Sequence, residues 1–351
     1  MALRPLETLP KAHLHLHFTG SLRPGTALEL ATEHGIRLPD SLAEGLATGA
    51  GLRFAATDSR GWFRFQRLYD AARAAVRTPA AVHRLVLEAA EDDRREGSGW
   101  LEIQVDPTTY APWLGGLSVA LETILAAAAD ASDRTGVGVG VVVAASRIRH
   151  PLEARTLARL ARRYAGEGVV GFGLSNDERR GRLEDFAPAF RIAREAGLWA
   201  VPHGGELMGA ESVAGCLDLL GATRIGHGVR AVEDPRLLAR LADAAVTLEV
   251  CPTSNVALGV AARPSDVPLR TLLEAGVPVA LGADDPLLFG ARLLAQYEHA
   301  RHVQGCSDDE LAALARQSIE SSRAPSHIWA ELRAGVDDWL ATDPTPAPAG
   351  R

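Results

Sequence analysis

Two periods of hydrophobic spacing run along this chain, and their alternation predicts its architecture. The first stretch, Lys11-Ala12-His13-Leu14-His15-Leu16-His17-Phe18-Thr19-Gly20, alternates with period two. It therefore reads as a strand with three histidines on one face and Leu14 and Leu16 on the other. Helical spacing follows at Arg23–Gly35, then a Gly-rich stretch at 35–59 that reads as a long loop. Arg60–Val76 is aromatic and helical, with Trp62, Phe65, Leu68, Tyr69 and Ala72 on one stripe, a candidate lid. Helices and strands then alternate. The predicted strands are Trp100–Val105, Val137–Ala144, Val169–Leu174, Leu198–His203, Thr223–His227, Val246–Val250 and Val277–Gly282. A helix precedes each one. The run at Val137–Ala144 is apolar throughout, as suits a parallel strand buried on both faces. Counting the first, eight strands separated by helices predict an α/β fold, the (β/α)8 TIM barrel, with its active site at the C-terminal strand ends. One domain is expected over 1–341, with a lid-like insertion at about 35–76. Asp308 to about Leu340 reads as helical, and 342–351, with three prolines in ten residues, as a disordered tail.

Composition narrows the function. At 351 residues and 47% hydrophobic, the chain can bury a large core. A net charge of −7 argues against nucleic acid or an anionic membrane as main partner. The sequence has no membrane-length apolar run and no basic-then-apolar start, so a cytoplasmic location is expected. Cys216, Cys251 and Cys306 are too few and too scattered for a disulfide framework or a zinc knuckle. Oligomeric state is not readable, and a homo-oligomer stays open.

The polar residues fall where a barrel enzyme places its chemistry. At about 3.3 Å per residue, His15 and His17 lie roughly 6–7 Å apart along a strand, close enough to converge on one ion. His13, two residues further back, is too far to join them, and its role stays open. Later strand ends carry His203-Gly204-Gly205-Glu206, Ile225-Gly226-His227-Gly228, Cys251-Pro252-Thr253-Ser254-Asn255 and Ala283-Asp284-Asp285-Pro286. The predicted ligand set is His15, His17, His203 and Asp284, with a water completing the shell. Nitrogen and oxygen donors with an open position suggest Zn²⁺, with Fe²⁺ and Mn²⁺ as alternatives. His227 is then the base that orients or deprotonates the water. Glu206, freed by two glycines, reaches the substrate, and burial would make it a proton donor. Asp285 points to the substrate as well. The competing reading for Glu206 and Asp285 is a hydrogen bond to a metal-bound histidine. A binuclear site bridged by a carboxylated lysine at strand four is excluded, because the single lysine, Lys11, lies on strand one.

Together these pieces resemble the adenosine deaminase family of metal-dependent amidohydrolases. The matching segments are Pro10-Lys11, His15-x-His17 with Gly20-Ser21, Asp177-Glu178, His203-x-Gly205-Glu206, Ile225-Gly226-His227-Gly228, Cys251-Pro252-x-Ser254-Asn255 and Asp284-Asp285-Pro286. The resemblance implies one zinc per subunit and hydrolytic deamination of a small-molecule 6-aminopurine nucleoside. Glu206 would protonate ring N1, His227 would assist the attacking water, Asp285 would bind N7, and the Ser175-Asn176 loop would face N3. Three positions depart from the family pattern. His13 replaces a usual glutamate, Asn176 a usual glycine, and Thr19 an aspartate that binds the ribose 5′-hydroxyl in adenosine-specific members. Losing that carboxylate suits a nucleoside whose 5′ side is extended or anionic. The block HLHLHFTGS with the RGWFRFQRLYD segment resembles an actinobacterial subgroup. Some of its members act on 6-amino-6-deoxyfutalosine, a menaquinone precursor with a 5′-terminal benzoate. Arg23, Arg60, Arg64 or Arg67 is then expected to meet that carboxylate. Alternatives are an adenine deaminase acting on the free base and a catalytically dead purine-binding barrel.

Overall fold

The computed structural model describes residues 3–342, so the expectation for 343–351 lies outside the described residues. Eight parallel strands stand in sequential order: β1 (Lys11–His17), β2 (Ser98–Val105), β3 (Gly138–Ser146), β4 (Val169–Ser175), β5 (Trp199–Gly204), β6 (Arg224–His227), β7 (Thr247–Val250) and β8 (Val279–Leu281). The ring closes between β1 and the residues just past β8. The His17 amide donates to the Asp284 carbonyl at 2.9 Å, and the Asp284 amide donates to the His15 carbonyl at 3.0 Å. The fold is the (β/α)8 barrel expected from the alternation.

Local chemistry explains the element borders. Pro24, Pro79, Pro151 and Pro235 each sit in the first turn of a helix, where the missing N–H costs nothing. Apolar side chains on the inner helix faces pack against strands whose residues are buried on both sides, β3 above all. Among the described residues, no helix is long and apolar enough to cross a membrane.

Two expectations need correction. The stretch 35–59 contains a helix, Asp40–Thr48. Gly45 lowers its local propensity, but Leu42 and Leu46, one turn apart, are buried and supply the packing that decides it. The C-terminal stretch is two helices, Asp308–Glu320 and Ser326–Ala341. The break between them is occupied: the Ser321 carbonyl accepts from Arg224, and the Arg323 amide donates to Glu102.

His13 is structural. Its Nδ1 faces Asp93 at 3.0 Å and its Nε2 accepts the Ala283 amide at 3.1 Å, so the ring ties β1 to helix Pro79–Arg95 and to the end of β8.

Candidate active site

The strand ends bring His15, His17, His203, His227 and Asp284 together at the barrel mouth. Ring centroids of His15 lie 5.2 Å from His17, 4.8 Å from His203 and 4.8 Å from His227. His17 Nε2 is 3.1 Å and His15 Nε2 3.6 Å from Asp284 Oδ1. Nitrogens of His15, His203 and His227 lie within 4.8 Å of one another, as do donor atoms of Glu206, His227 and Asp284. Small residues make the crowding possible. A Cβ on Gly226 would sit 2.9 Å from both the His15 and His203 rings, and one on Gly20 would fall 1.9 Å from Asp285 Oδ1.

The backbone is strained here. Among the described residues, four non-glycines adopt left-handed φ, and three of them line the cavity: Asn176 (78°), His227 (63°) and Asp284 (63°). Such conformations cost on the order of 1–3 kcal/mol each and persist where the surroundings enforce them.

Charges are sorted by environment. Burial, then the neighbouring imidazoles, hold His203 well below its ordinary pKa. Burial pushes His227 down to about 3, so both rings are neutral. His15 is different: burial would lower it, but the carboxylates of Asp284 and Glu249, one beside each ring nitrogen, raise it to about 10. A positive charge belongs at this spot. Asp284 lies well below the usual carboxylate range, its burial outweighed by the imidazoles of His15 and His17; its Oδ2 also accepts from Ser254. Glu206 goes the other way, raised well above its ordinary value by burial and then by the charges of Asp284 and Glu178. Burial and Asp284 do the same to Asp285.

A cavity opens over this cluster, lined at its floor by His17, His203, Glu206, His227, Asp284 and Asp285. Ser175 and Asn176 form part of its wall. Helix Ser59–Arg73, the candidate lid, contributes Trp62, Phe65, Gln66, Tyr69 and Arg73. A second compartment shares His17, Tyr69, Arg73 and Ser175 with the first and continues to Gln104, Asp106 and Tyr110.

The sequence profile of adenosine deaminase matches residues 10–339. The chain belongs to the adenosine deaminase family. A Streptomyces coelicolor protein whose name carries the words adenosine/adenine deaminase is 67% identical over 338 residues, 96% of this chain and 98% of that protein. An adenine deaminase of Rhizobium leguminosarum is 35% identical, across 90% of this chain and 94% of its own. Among solved structures, adenine deaminase from Arthrobacter aurescens matches with a TM-score of 0.85 at 30% identity, covering 95% of this chain and 99% of that one. Arabidopsis N6-mAMP deaminase matches with a TM-score of 0.82 at 25% identity, covering 95% and 99%. Membership of the family makes the protein a hydrolytic purine deaminase.

Within that family frame, some expected residues stand elsewhere. Thr19 is fully buried and its hydroxyl pairs with Tyr110 at 2.6 Å. It stands behind the second compartment, and Tyr110 presents the surface. Arg23 is clamped by Asp92 and Glu91. Arg60, Arg64 and Arg67 are exposed and line neither compartment. The arginine that does is Arg73, one turn and a half past the last of them, its guanidinium 4.7 Å over the Tyr69 ring. The i, i+4, i+8 spacing of Phe65, Tyr69 and Arg73 along the inward stripe was the signal for it. Glu178 was visible only as a motif. Its carboxylate accepts the amides of Gly205, Glu206, Leu207 and Met208, fixing the turn that carries Glu206.

Proposed function

We propose that the protein is a zinc-dependent deaminase. It converts the 6-amino group of an adenosine-type nucleoside, adenosine or a 5′-extended form such as 6-amino-6-deoxyfutalosine, to the 6-oxo product and ammonia. One observation carries the reading: Glu206, a buried acid that keeps its proton, shares one cavity with neutral His227 and the histidine–aspartate cluster.

The cluster suits a borderline divalent cation. His15 Nε2 is a buried nitrogen with no hydrogen-bond partner among the described residues, and it faces Asp284 in a mixed nitrogen and oxygen donor set. His15, His17, His203 and Asp284 would hold the ion. When bound, zinc supplies the Lewis acidity that brings the pKa of water into the neutral range. The chain's own groups do the rest. Glu206 passes its proton to purine N1, which draws electron density from C6. Neutral His227 accepts the proton of the attacking water. Asp285, which keeps its proton, donates to N7. After water adds at C6, His227 returns the water's proton to the amino nitrogen, the C6–N bond breaks to release ammonia, and the C6 hydroxyl gives its proton to Glu206 as the 6-oxo group forms.

The adjoining compartment supports a nucleoside over a bare base, because it extends the cavity towards Asp106, Tyr110 and Arg73. Helix Ser59–Arg73 serves as the cover of the bound purine. The second reading, deamination of free adenine, is favoured by the names of the Rhizobium and Arthrobacter relatives.

The test is a deamination screen with adenine, adenosine and adenosines bearing a 5′-carboxylate, with metal content measured on the same preparation. Ammonia release from a nucleoside, at a higher kcat/KM than from adenine and with about one zinc per chain, is expected. A preference for free adenine would overturn the nucleoside reading, and turnover without metal would overturn the zinc.

A further inference from the structure

We infer that Glu249, gripped from beneath by Arg224, which Glu102 holds in turn, is a positioning residue that fixes the tautomer of His15 and sets how firmly the site keeps its cation. The inference rests on the metal reading above. Glu249 Oε2 lies 2.8 Å from His15 Nδ1, and Glu249 Oε1 accepts from Arg224 Nε at 2.6 Å. The other arm of Arg224 pairs with Glu102, and its Nη1 donates to the Ser321 carbonyl at 2.6 Å. The side chains of His15, Glu249, Arg224 and Glu102 are all at most 1% exposed.

With a cation on the Nε2 side of His15, this chain of contacts has one consistent protonation pattern. Flanked by Arg224, Glu249 is a carboxylate, and a carboxylate only accepts hydrogen bonds. His15 must then carry its N–H on Nδ1, which leaves the Nε2 lone pair towards Asp284. Without Glu249 the ring is free to take the other tautomer, which presents an N–H to the cation site.

The charges add a second argument. Glu102, Glu249 and Asp284 bring three carboxylates into the barrel interior, and Arg224 cancels one. A buried charge without a partner is costly, so the carboxylates that Arg224 leaves uncompensated favour a cation beside Asp284. Glu102 is fixed in turn by Trp100 Nε1 at 3.0 Å and by the Arg323 amide at 2.7 Å. The network thus runs from β2 through β6 and β7 to the ligand on β1. Partners of this kind that orient metal ligands typically change metal affinity 10–100-fold when removed.

The experiment compares zinc release to a chromophoric chelator from the full-length protein and its E249Q and E102Q variants. Circular dichroism and melting check the fold. Glutamine in place of Glu249 keeps the size and an acceptor but removes the charge. Release about 10–100-fold faster from E249Q, and by a smaller factor from E102Q, is expected. A folded E249Q that releases zinc within about twofold of wild type would show that the network only braces the barrel. Should E249Q not fold, ¹⁵N-histidine NMR of the zinc-loaded wild type decides: a proton on Nδ1 of His15 supports the inference, and one on Nε2 overturns it. Wild type that takes up no stoichiometric zinc would sink the metal reading itself, and the inference with it.

Discussion

Glu178 holds Glu206 by its main chain. The carboxylate accepts the Glu206 amide at 2.9 Å and takes three more amides from the same turn, while its charge raises the proton affinity of the Glu206 side chain. One residue therefore sets the position of the acid and adds to the effect of burial and Asp284 on its proton. Glu178→Gln puts an amide N–H against backbone N–H groups and removes the charge. A loss of at least about tenfold in kcat is expected, with KM little changed, because hydrogen bonds to charged groups contribute about 1.5–3 kcal/mol. Steady-state kinetics alongside a melting curve separates this from a general loss of stability.

Glu206→Gln tests the acid directly. The amide fills the same buried space but has no proton to give to N1. Proton transfer by a positioned side chain is worth about 10²–10⁴-fold. A drop of that size in kcat is expected, while inosine or hypoxanthine binds within a few-fold of wild type by calorimetry. An activity loss below about tenfold would mean that another group protonates the ring.

Much of this site was legible in the sequence because period-two strands ending in His or Asp fix both the barrel and the face those residues share. His15, His17, His203, His227 and Asp284 meet at the mouth for that reason. What was not legible depends on partners distant in sequence. Thr19 read as a contact to the ribose side, yet Tyr110, 91 residues on, covers it. Arg23 is taken up by an acidic helix 69 residues away. The helix at Asp40–Thr48 was hidden because glycine lowers propensity locally, whereas the burial of Leu42 and Leu46 depends on the whole fold. Left-handed φ at His227 and Asp284 likewise follows from the surrounding fold, whereas at Asn176, where the family usually has glycine, the sequence carried a hint of it.

Arg73 should read the far end of the substrate. It lines both compartments, and it is the Lys or Arg among their lining residues. Its Nη1 also pairs with Asp70 at 2.9 Å, which holds the guanidinium in place. Arg73→Met is expected to cut kcat/KM for a 5′-carboxylated adenosine by about ten- to a hundredfold, the worth of a charged hydrogen-bonded contact. Turnover of adenine and adenosine should change by no more than a few-fold. Equal losses on charged and neutral substrates would place the role of Arg73 in packing over Tyr69 instead.

Lys11 gives the fold a pH dependence of its own. The side chain is fully buried at the base of β1, where Nζ donates to the Leu6 carbonyl at 2.9 Å and to the Glu96 carbonyl, 5.2 Å over the Tyr297 ring. Burial lowers its pKa from 10.5 to about 7, against the opposing pull of Glu96 and Asp93. Between these two values the unfolded chain binds a proton that the folded chain does not. Stability contributed by this group therefore rises with pH across that window, by at most about 1.4 kcal/mol per unit, and is flat below it. Lys11→Met removes the titration together with two hydrogen bonds. The melting temperature of wild type relative to Lys11→Met should then climb between about pH 7 and pH 9.5. Calorimetry of both proteins across that range checks it, because every other titrating group cancels in the difference. A constant gap would mean that Lys11 stays charged in the folded barrel, stabilised by the two carbonyls and the Tyr297 face more than burial penalises it.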